Sequence, residues 1–311
     1  MVSTEIHVPI SLNPNFAHMI YLLVKSIAAN AKLPGDWRVV FTVSRDTAWD
    51  FDHPELAWAK DFAVEFRWVD QTQWESQQWL ATAIQRHTYD FTTDVILFMD
   101  ADTAVHGPLT ELVLETATSD AIAGWPAWQP PGINLTDVLM KRGCALSDWG
   151  LTYSGYGLTF LSPKSCPPYF NLGFIAVSKA TAQRLARDVP QDWHFVRTYY
   201  PDWFGCQIAL CLSIVRNNYA YRALDMRYNL GNGDLGEPIL SGPEADAAFA
   251  RALASYRDPR ILHYCVPTEA FQKSRDMGSW DRIRQFCEME GLGEGNAILQ
   301  ATFKRLLGNP A

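Results

Sequence analysis

The sequence predicts an α/β protein in which helices cover both faces of an open, mostly parallel sheet, in a three-layer α/β/α arrangement. Strand and helix patterns alternate along the first 125 residues, which is typical of such folds. One strand, DVILFM at 94–99, is apolar without interruption, as expected where helices cover both faces of a parallel strand. The chain has 311 residues, of which 48% are hydrophobic, so it can bury a full core.

The first half of the chain supplies the strands and helices of this sheet. Short apolar or alternating runs predict strands at 5–10, 37–44, 62–70 and 94–99. Apolar residues at helical spacing predict helices at 15–31 and 74–91. Strands that alternate with covering helices in this way favour parallel pairing.

A turn-rich stretch opens the second half. It runs from Trp125 to about Pro168 and contains one short helix candidate, at 136–142. Long irregular segments in compact proteins are commonly functional loops. Regular structure is predicted again at 172–178 (strand), 179–189 and 204–217 (helices), 221–230, 260–265 (strand), 279–290 and 294–308 (helices). No internal repeat or linker interrupts the chain, so a single domain over 1–311 is expected.

Charge and composition argue against several functions. A formal net charge of −8 and a pI near 5.4 do not favour nucleic acid or an anionic membrane surface as a partner. Residues 1–12 lack the pattern of a secretion leader, and no window approaches the roughly 18 apolar residues of a transmembrane helix. A cytoplasmic protein without a membrane span is therefore expected. The six cysteines form no CxxC pair, which favours reduced thiols.

Two aspartates follow the most apolar strand. Asp100 and Asp102 come directly after DVILFM, and open α/β sheets bind their ligands beyond the carboxyl ends of the strands. Two carboxylates one residue apart attract a hard divalent cation such as Mg²⁺ or Mn²⁺, and such a cation can hold a diphosphate. The alternative is structural: Asp100 caps the following turn, and Asp102 caps the helix that starts near Pro108. The tripeptide alone leaves both interpretations open.

Four segments of the chain follow the pattern of one enzyme family. They are VILFMDADTAVHGPL (95–109), YFNLGFIAVSK (169–179), RYNLG (227–231) and ILHYC (261–265). In order and spacing they resemble glycosyltransferases of the GT-A fold, in particular those of family 8. The resemblance implies a Rossmann-like sheet and the transfer of a sugar, with retention of anomeric configuration, from a nucleotide diphosphate donor. The donor would be a UDP- or GDP-sugar, and the acceptor an unknown saccharide, lipid or protein.

The resemblance also implies a metal site. In the family, the two aspartates of the DxD motif and a late histidine bind the metal that bridges the donor diphosphate. Asp100, Asp102 and His263 are therefore expected to bind Mn²⁺ or Mg²⁺. A metal there would act as a Lewis acid that neutralises the leaving diphosphate. A histidine at a strand end is otherwise commonly a hydrogen-bonded structural residue, and this alternative stays open for His263.

The catalytic segment departs from the family pattern. Gln207 matches the glutamine of the family's DQD segment and is expected beside the transferred sugar, whereas cysteine and isoleucine replace the two aspartates. Asp202, five residues earlier, is a candidate for the missing carboxylate. Asn171 offers an amide to a sugar hydroxyl, and Gly173 permits a close backbone approach. The alternative for these two residues is a turn at the entry of a strand.

Loops at the ends of the first strands are expected to hold the nucleotide. PISLNPN (9–15) and VSRD (43–46) are the expected neighbours of the base and ribose. The donor candidates are Pro9, Ile10, Ser11, Ser44, Arg86, Asp100, Ala101, Asp102, Asn171, Gly173 and Lys273. Arg275 is an alternative to Lys273 as the phosphate partner, because Glu269 stands where the family has its lysine.

The two halves of the chain are expected to divide the substrates between them. Residues 1–125 form the nucleotide-binding half and residues 126–311 the acceptor-binding half. Within the turn-rich stretch, Trp128, Tyr153 and Tyr156 offer aromatic faces to an acceptor, although packing under loops is the common role of such residues.

Two other functions remain open from the sequence. A phosphatase of the haloacid dehalogenase type also places a DxD after an apolar strand, with Asp100 as nucleophile and Asp102 as acid/base. Such enzymes usually carry the motif on their first strand, whereas three predicted strands precede it here. The lost DQD carboxylates also allow a protein that binds a nucleotide sugar without catalysis.

Overall fold

The computed structural model describes residues 1–47, 49–147, 149–154, 165–233, 242–264 and 279–308. Its strands are β1 (Thr4–Ile10), β2 (Trp37–Val43), β3 (Val64–Trp68), β4 (Val95–Met99), β5 (Thr103–Val105), β6 (Ile122–Pro126), β7 (Leu151–Thr152), β8 (Ser165–Cys166), β9 (Phe170–Ser178), β10 (Tyr221–Ala223), β11 (Leu230–Gly231) and β12 (Ile261–His263). Its α-helices are α1 (Pro14–Asn30), α2 (Gln71–Gln77), α3 (Leu80–Gln85), α4 (Thr110–Ala117), α5 (Leu135–Lys141), α6 (Lys179–Val196), α7 (Phe204–Arg216), α8 (Pro243–Arg257), α9 (Trp280–Glu288) and α10 (Glu294–Leu307). Short 3₁₀ helices span Pro54–Asp61 and Met226–Tyr228.

Seven strands form the central sheet, in the order β10-β6-β9-β4-β1-β2-β3. Strands β4, β1, β2 and β3 pair in parallel, as do β6 and β10. Strand β9 runs antiparallel to both of its neighbours, β4 and β6. The predicted mostly parallel open sheet is thus confirmed, with one reversed strand near its centre. A second, short sheet has the order β11-β12-β5.

Strand β4 separates two hydrophobic cores. Val95, Leu97 and Met99 belong to the core that includes α1 and α10. Ile96 and Phe98 point the other way, into the core formed with α6 and α7. Because successive side chains of a strand alternate between its faces, an uninterrupted apolar run is what burial on both faces requires.

The single helix predicted at 74–91 is wrong. The chain instead forms α2 and α3, which are separated at Gln78. Gln78 has a φ of 55°, and this left-handed conformation cannot continue a right-handed helix. The break turns the chain, so that α3 begins in a new direction and delivers Arg86 to the end of β4.

The predicted end of helix α6 at residue 189 is also wrong. The helix continues through Pro190 to Val196, although proline removes one helical hydrogen bond. Its last turns bury Asp192, Trp193 and Val196 completely. The Asp192 carboxylate accepts hydrogen bonds from Ser213 and Arg216 of the neighbouring helix α7, and this packing holds the extension in place.

A polar cluster lies inside the sheet at the start of β1. Arg38 Nε donates to Glu5 Oε1 at 2.8 Å, Thr92 Oγ1 donates to the same oxygen at 3.2 Å, and His7 Nε2 lies 3.3 Å from Glu5 Oε2. Burial alone would raise the pKa of Glu5, but its hydrogen bonds to His7 and Arg38 outweigh burial and lower the pKa to about 2. Burial lowers the pKa of His7. The folded state therefore favours a charged Glu5.

Candidate functional site

The candidate site lies where the chain changes its direction across the sheet. From β1 the chain adds β2 and β3 on one side, and it then crosses over to add β4 on the other side of β1. Connections that leave β1 and β4 therefore diverge and open a crevice at the carboxyl ends of these strands, where α/β sheets bind ligands. Ser11 follows β1 and Asp100 follows β4, so both lie at this crevice.

Asp100, Asp102 and His263 come together there. One ligand atom from each lies within 4.8 Å of the others, and His263 Nε2 is 3.3 Å from Asp102 Oδ1. The short sheet brings the histidine from the far part of the chain: β12 pairs antiparallel with β5, so that His263 stands opposite Thr103. The Tyr264 amide also donates to the Asp102 carbonyl at 3.0 Å. The sequence thus predicted the cluster, although it did not predict strand β5.

Arg86 fixes the position of the Asp100 carboxylate. Its guanidinium is completely buried and donates from Nη1 to Asp100 Oδ1 at 2.9 Å and to the Met99 carbonyl at 3.2 Å. Burial raises the pKa of the Asp100 carboxyl, Arg86 pulls this pKa down, and the Asp102 charge raises it again. Arg86 thus pairs with Asp100, and the second carboxylate, Asp102, favours a further cation beside the two aspartates.

The three side chains fit a divalent cation. Two carboxylate oxygens and one imidazole nitrogen are ligands that Mn²⁺ accepts, while carboxylate oxygens alone suit Mg²⁺. Asn229 Oδ1 lies 2.8 Å from His263 Nδ1, so the other ring nitrogen, Nε2, is the one turned toward Asp102. When the ring is neutral with its proton on Nδ1, the Nε2 lone pair and the carboxylate oxygen 3.3 Å away repel each other, and a cation between them removes that repulsion.

Asn171 and Gly173 lie against the histidine. The Gly173 amide donates to Asn171 Oδ1 at 2.8 Å, and Asn229 Nδ2 donates to the same oxygen at 2.9 Å. A side chain at position 173 would place its Cβ only 2.5 Å from His263 Nδ1. Glycine is therefore required for the ring to occupy its position. The structure places Asn171 and Gly173 at the site, but their atoms contact the histidine and its partner.

The catalytic candidates occupy two different environments. Gln207 is buried, and its Oε1 accepts the Leu172 amide of β9 at 3.3 Å. Cys206 is close enough for Arg86 and Asp100 to act on it electrostatically, and burial raises its pKa to about 12. The cysteine is therefore a neutral thiol and does not replace a carboxylate. Asp202 is exposed, and its Oδ1 accepts the amide of the next residue at 2.6 Å.

The nucleotide-side candidates surround the end of β1. The Ser11 and Ser44 hydroxyls lie 2.7 Å apart, and both contact the Asp46 carboxylate. Pro9 and Ile10 are buried residues at the end of β1. The Ala101 side chain is likewise in the core, and its carbonyl lies 3.5 Å from the Tyr264 hydroxyl.

The acceptor candidates predicted from the sequence do not share one surface. Trp128 is 39% exposed, whereas Tyr153 is 6% exposed and packs edge-on against Tyr169. Tyr156, Lys273 and Arg275 lie outside the described residues.

A pair of stacked tryptophans offers another aromatic surface. The rings of Trp79 and Trp203 lie 5.5 Å apart at an angle of 14°, and Trp79 is 44% exposed. Trp79 immediately precedes α3, which leads to Arg86, and Trp203 immediately precedes α7, which carries Gln207. The stacked pair thus joins the starts of the two helices whose residues reach the candidate site.

Comparisons with known proteins define the fold. No family model matches the chain, and no curated protein is similar to it in sequence. Among solved structures, the bifunctional glycosyltransferase WbbM matches 99% of this chain with a TM-score of 0.59 and 15% identity, and this chain spans 50% of the WbbM chain. The galactosyltransferase LgtC, solved with donor and acceptor sugar analogues, matches 90% of this chain and 93% of its own, with a TM-score of 0.53 and 15% identity. An active-site mutant of LgtC matches with a TM-score of 0.54.

These similarities show that the chain has the GT-A fold found in glycosyltransferases. The predicted fold class is therefore confirmed. Among the residues with assigned structure, no helix has both the length and the apolar character needed to cross a membrane.

Several residues at the site were not singled out from the sequence. Asp46 and Asn229 lie within the segments VSRD and RYNLG, but no spacing indicated that they would meet Ser11 or His263. Trp79 belongs to no motif, and its stacking on Trp203, far away in the chain, was not predicted. A polar residue directly after each strand end is the general signal that would have indicated Asp46.

Proposed function

We propose that this protein is a metal-dependent glycosyltransferase, which transfers a sugar from a nucleoside diphosphate sugar such as a UDP- or GDP-sugar. The observation that carries the proposal is the meeting of Asp100, Asp102 and His263 at the crevice between β1 and β4. The shared fold of WbbM and LgtC, whose names describe glycosyl transfer, supports it. The acceptor is a saccharide, a lipid or a protein.

The residues of the site have distinct parts in this reaction. Asp100, Asp102 and His263 would hold Mn²⁺ or Mg²⁺, which supplies the positive charge that a diphosphate needs in order to leave. Arg86 fixes one oxygen of Asp100 and leaves the carboxylate oriented at the crevice. Ser11, Ser44 and Asp46 lie at the neighbouring strand ends, so we assign them to the nucleoside, with the carboxylate accepting from ribose hydroxyls.

Retention of configuration rests on the family resemblance. Gln207 is our candidate for the side chain beside the reacting carbon. It is a buried residue of α7, and its amide contacts β9. The neighbouring Cys206 is close enough to Asp100 for the carboxylate charge to raise the pKa of the thiol. Asp202 and Lys273 remain candidates for a catalytic carboxylate and a phosphate partner, respectively.

The stacked tryptophans are our candidate for the acceptor surface. Flat aromatic faces pack well against the apolar face of a sugar ring, and the exposed Asp202 carboxylate beside Trp203 can accept hydrogen bonds from hydroxyl groups. This surface favours a saccharide acceptor, or the saccharide part of a glycolipid or glycoprotein. Trp128 is the alternative position, in the stretch that the sequence indicated.

Release of the nucleotide from UDP- and GDP-sugars, measured with Mn²⁺ and with EDTA, tests the proposal. Wild-type protein should release nucleotide and bind the donor only with the cation present. Asp102→Asn should abolish both, because the remaining ligands cannot offset the dehydration of the cation. Asp281→Asn is the matched control, since the Asp281 side chain is 93% exposed and the residue is far in sequence from Asp100 and Asp102.

Three other results would contradict the proposal. Equal donor affinity in EDTA would exclude the metal role. Donor binding without nucleotide release, with every acceptor class tried, would indicate a binding protein. Formation of an acyl-phosphate on Asp100 with a phosphate monoester would indicate the phosphatase alternative.

A further inference from the structure

One backbone amide begins a chain of hydrogen bonds that ends on His263. The amide of Gly173 can only donate, and it donates to Asn171 at 2.8 Å. The atom of Asn171 that receives it must therefore be the carbonyl oxygen Oδ1. This assignment does not depend on how either side-chain amide is drawn, because a nitrogen at that position would face another N–H.

The same oxygen fixes the orientation of the next amide. Asn229 approaches Asn171 Oδ1 at 2.9 Å, and an acceptor oxygen requires a donor, so the approaching atom is the Asn229 nitrogen. The Asn229 oxygen must then point in the opposite direction. It lies 2.8 Å from His263 Nδ1, and Asn229 is 1% exposed, so water does not compete for it.

The chain of hydrogen bonds consequently determines which ring nitrogen of His263 carries the proton. An oxygen acceptor at 2.8 Å requires a proton on Nδ1. In the neutral imidazole the lone pair is then on Nε2, which is the nitrogen that faces Asp102 at 3.3 Å. The opposite tautomer would direct an N–H at the place of the cation and leave a lone pair against the Asn229 oxygen.

We infer that Asn229 and Asn171 are positioning residues, which hold His263 as the Nδ1–H tautomer so that its Nε2 can bind a cation. This inference changes the part expected of Asn171, whose Oδ1 is already shared by two N–H donors and acts within the protein. The inference concerns metal binding alone. It rests on the proposed function only where the bound metal is given a part in sugar transfer.

The first experiment is made on the wild-type protein and does not need an active enzyme. The ¹⁵N shifts of the histidine rings are measured in the metal-free protein at a pH about two units above the ordinary histidine pKa of roughly 6.5. His263 is assigned by the resonance that disappears in His263→Gln. We expect a protonated Nδ1 and an unprotonated Nε2. A proton on Nε2 together with an unprotonated Nδ1 in the wild-type protein would overturn the inference.

The second experiment measures affinity for Mn²⁺ alone, by the electron paramagnetic resonance of the free ion. Asn229→Leu should weaken binding about 10–100-fold, the usual cost of removing the hydrogen-bond partner of a metal-ligating histidine. It should also shift the ring toward the Nε2–H tautomer. Asn229→Asp keeps an acceptor oxygen for Nδ1 but loses the N–H that donates to Asn171, so it should keep the wild-type tautomer and bind Mn²⁺ more tightly than Asn229→Leu.

Two further variants separate positioning of the histidine from a general loss of buried hydrogen bonds. Asn232→Leu removes a nearby buried amide that donates to Asn296, outside the chain of hydrogen bonds, and it should leave affinity for Mn²⁺ unchanged. Asn171→Asp keeps the acceptor oxygen, so Mn²⁺ should bind at least as tightly as in the wild type. If Asn229→Leu binds Mn²⁺ as tightly as Asn232→Leu does, the inference is refuted. Failure of nucleotide release with these results intact would refute the proposed function and leave the inference standing.

Discussion

Replacing Gly173 with alanine tests the geometry of the site with a single methyl group. The added Cβ would lie 2.5 Å from His263 Nδ1, 2.6 Å from His263 Cε1 and 2.9 Å from Asn171 Oδ1. Ordinary contacts between such atoms are about 3.5 Å, so the imidazole must move by about 1 Å. The backbone of Gly173 has an ordinary negative-φ or extended conformation, so the effect is steric and not conformational.

The expected loss follows from this displacement. Metal–ligand distances tolerate deviations of only about 0.2 Å, and the hydrogen bond from His263 to Asn229, now 2.8 Å, would break when lengthened by about 1 Å. We expect Gly173→Ala to bind Mn²⁺ at least as weakly as a variant without the asparagine partner, that is, about 10–100-fold more weakly than wild type. Crowding should also lower the free energy of unfolding by about 1–3 kcal/mol.

The assay combines titration of Mn²⁺ with unfolding by urea. Gly132→Ala is the control, because a Cβ at position 132 would meet no atom within 4 Å. Unchanged affinity for Mn²⁺ and unchanged stability in Gly173→Ala, with Gly132→Ala at the wild-type values, would refute the placement of His263 against β9. Loss of stability without loss of affinity would show that the ring can move and still reach the cation.

Three further predictions concern other parts of the molecule. Gln207→Ala should lower turnover by roughly 10²-fold and change donor affinity little, if its amide acts mainly in the transition state; unchanged turnover would remove it from the site. Trp203→Ala should raise the KM for a saccharide acceptor roughly five- to tenfold and leave acceptor-independent donor hydrolysis unchanged, whereas an effect of Trp128→Ala alone would place the acceptor elsewhere. Glu5 has a pKa of about 2 when folded, against 4.5 ordinarily, so its contribution of about 3 kcal/mol should be present above pH 4.5 and disappear as the pH falls toward 2. Urea unfolding of wild type and Glu5→Gln across this range should converge at low pH, and parallel curves would contradict the assignment.

The sequence predicted those parts of the fold that depend on local patterns. The apolar run before Asp100 indicated a strand covered on both faces, and β4 is such a strand. It could not indicate that β9 would pair antiparallel with β4, because an apolar run carries no information about strand direction. The break at Gln78 was missed for a similar reason: glutamine favours helices, and no local pattern indicates the positive φ that this exposed residue adopts between α2 and α3.

The site shows the same division between local and distant information. Asp100 and Asp102 follow from a local rule about strand ends, and His263 entered through the family resemblance. Asn229 was not predicted as a partner of His263, because Asn229 immediately precedes β11 and His263 ends β12, so that their contact depends on the register of these two strands. No periodicity or composition specifies that register.

Strand β5 links the early and late parts of the chain at the site. It begins immediately after Asp102 and pairs with β12, which ends at His263, so that the register of two three-residue strands determines the distance between the candidate ligands. Such short strands contribute few hydrogen bonds of their own, and the Tyr264 amide adds one directly to the Asp102 carbonyl. A cation held by all three side chains would bind only the paired state, and it would therefore stabilise that state by mass action. Without a cation the two carboxylates repel each other. With a bound cation, the same carboxylates would link the end of β4 to His263 in the small sheet.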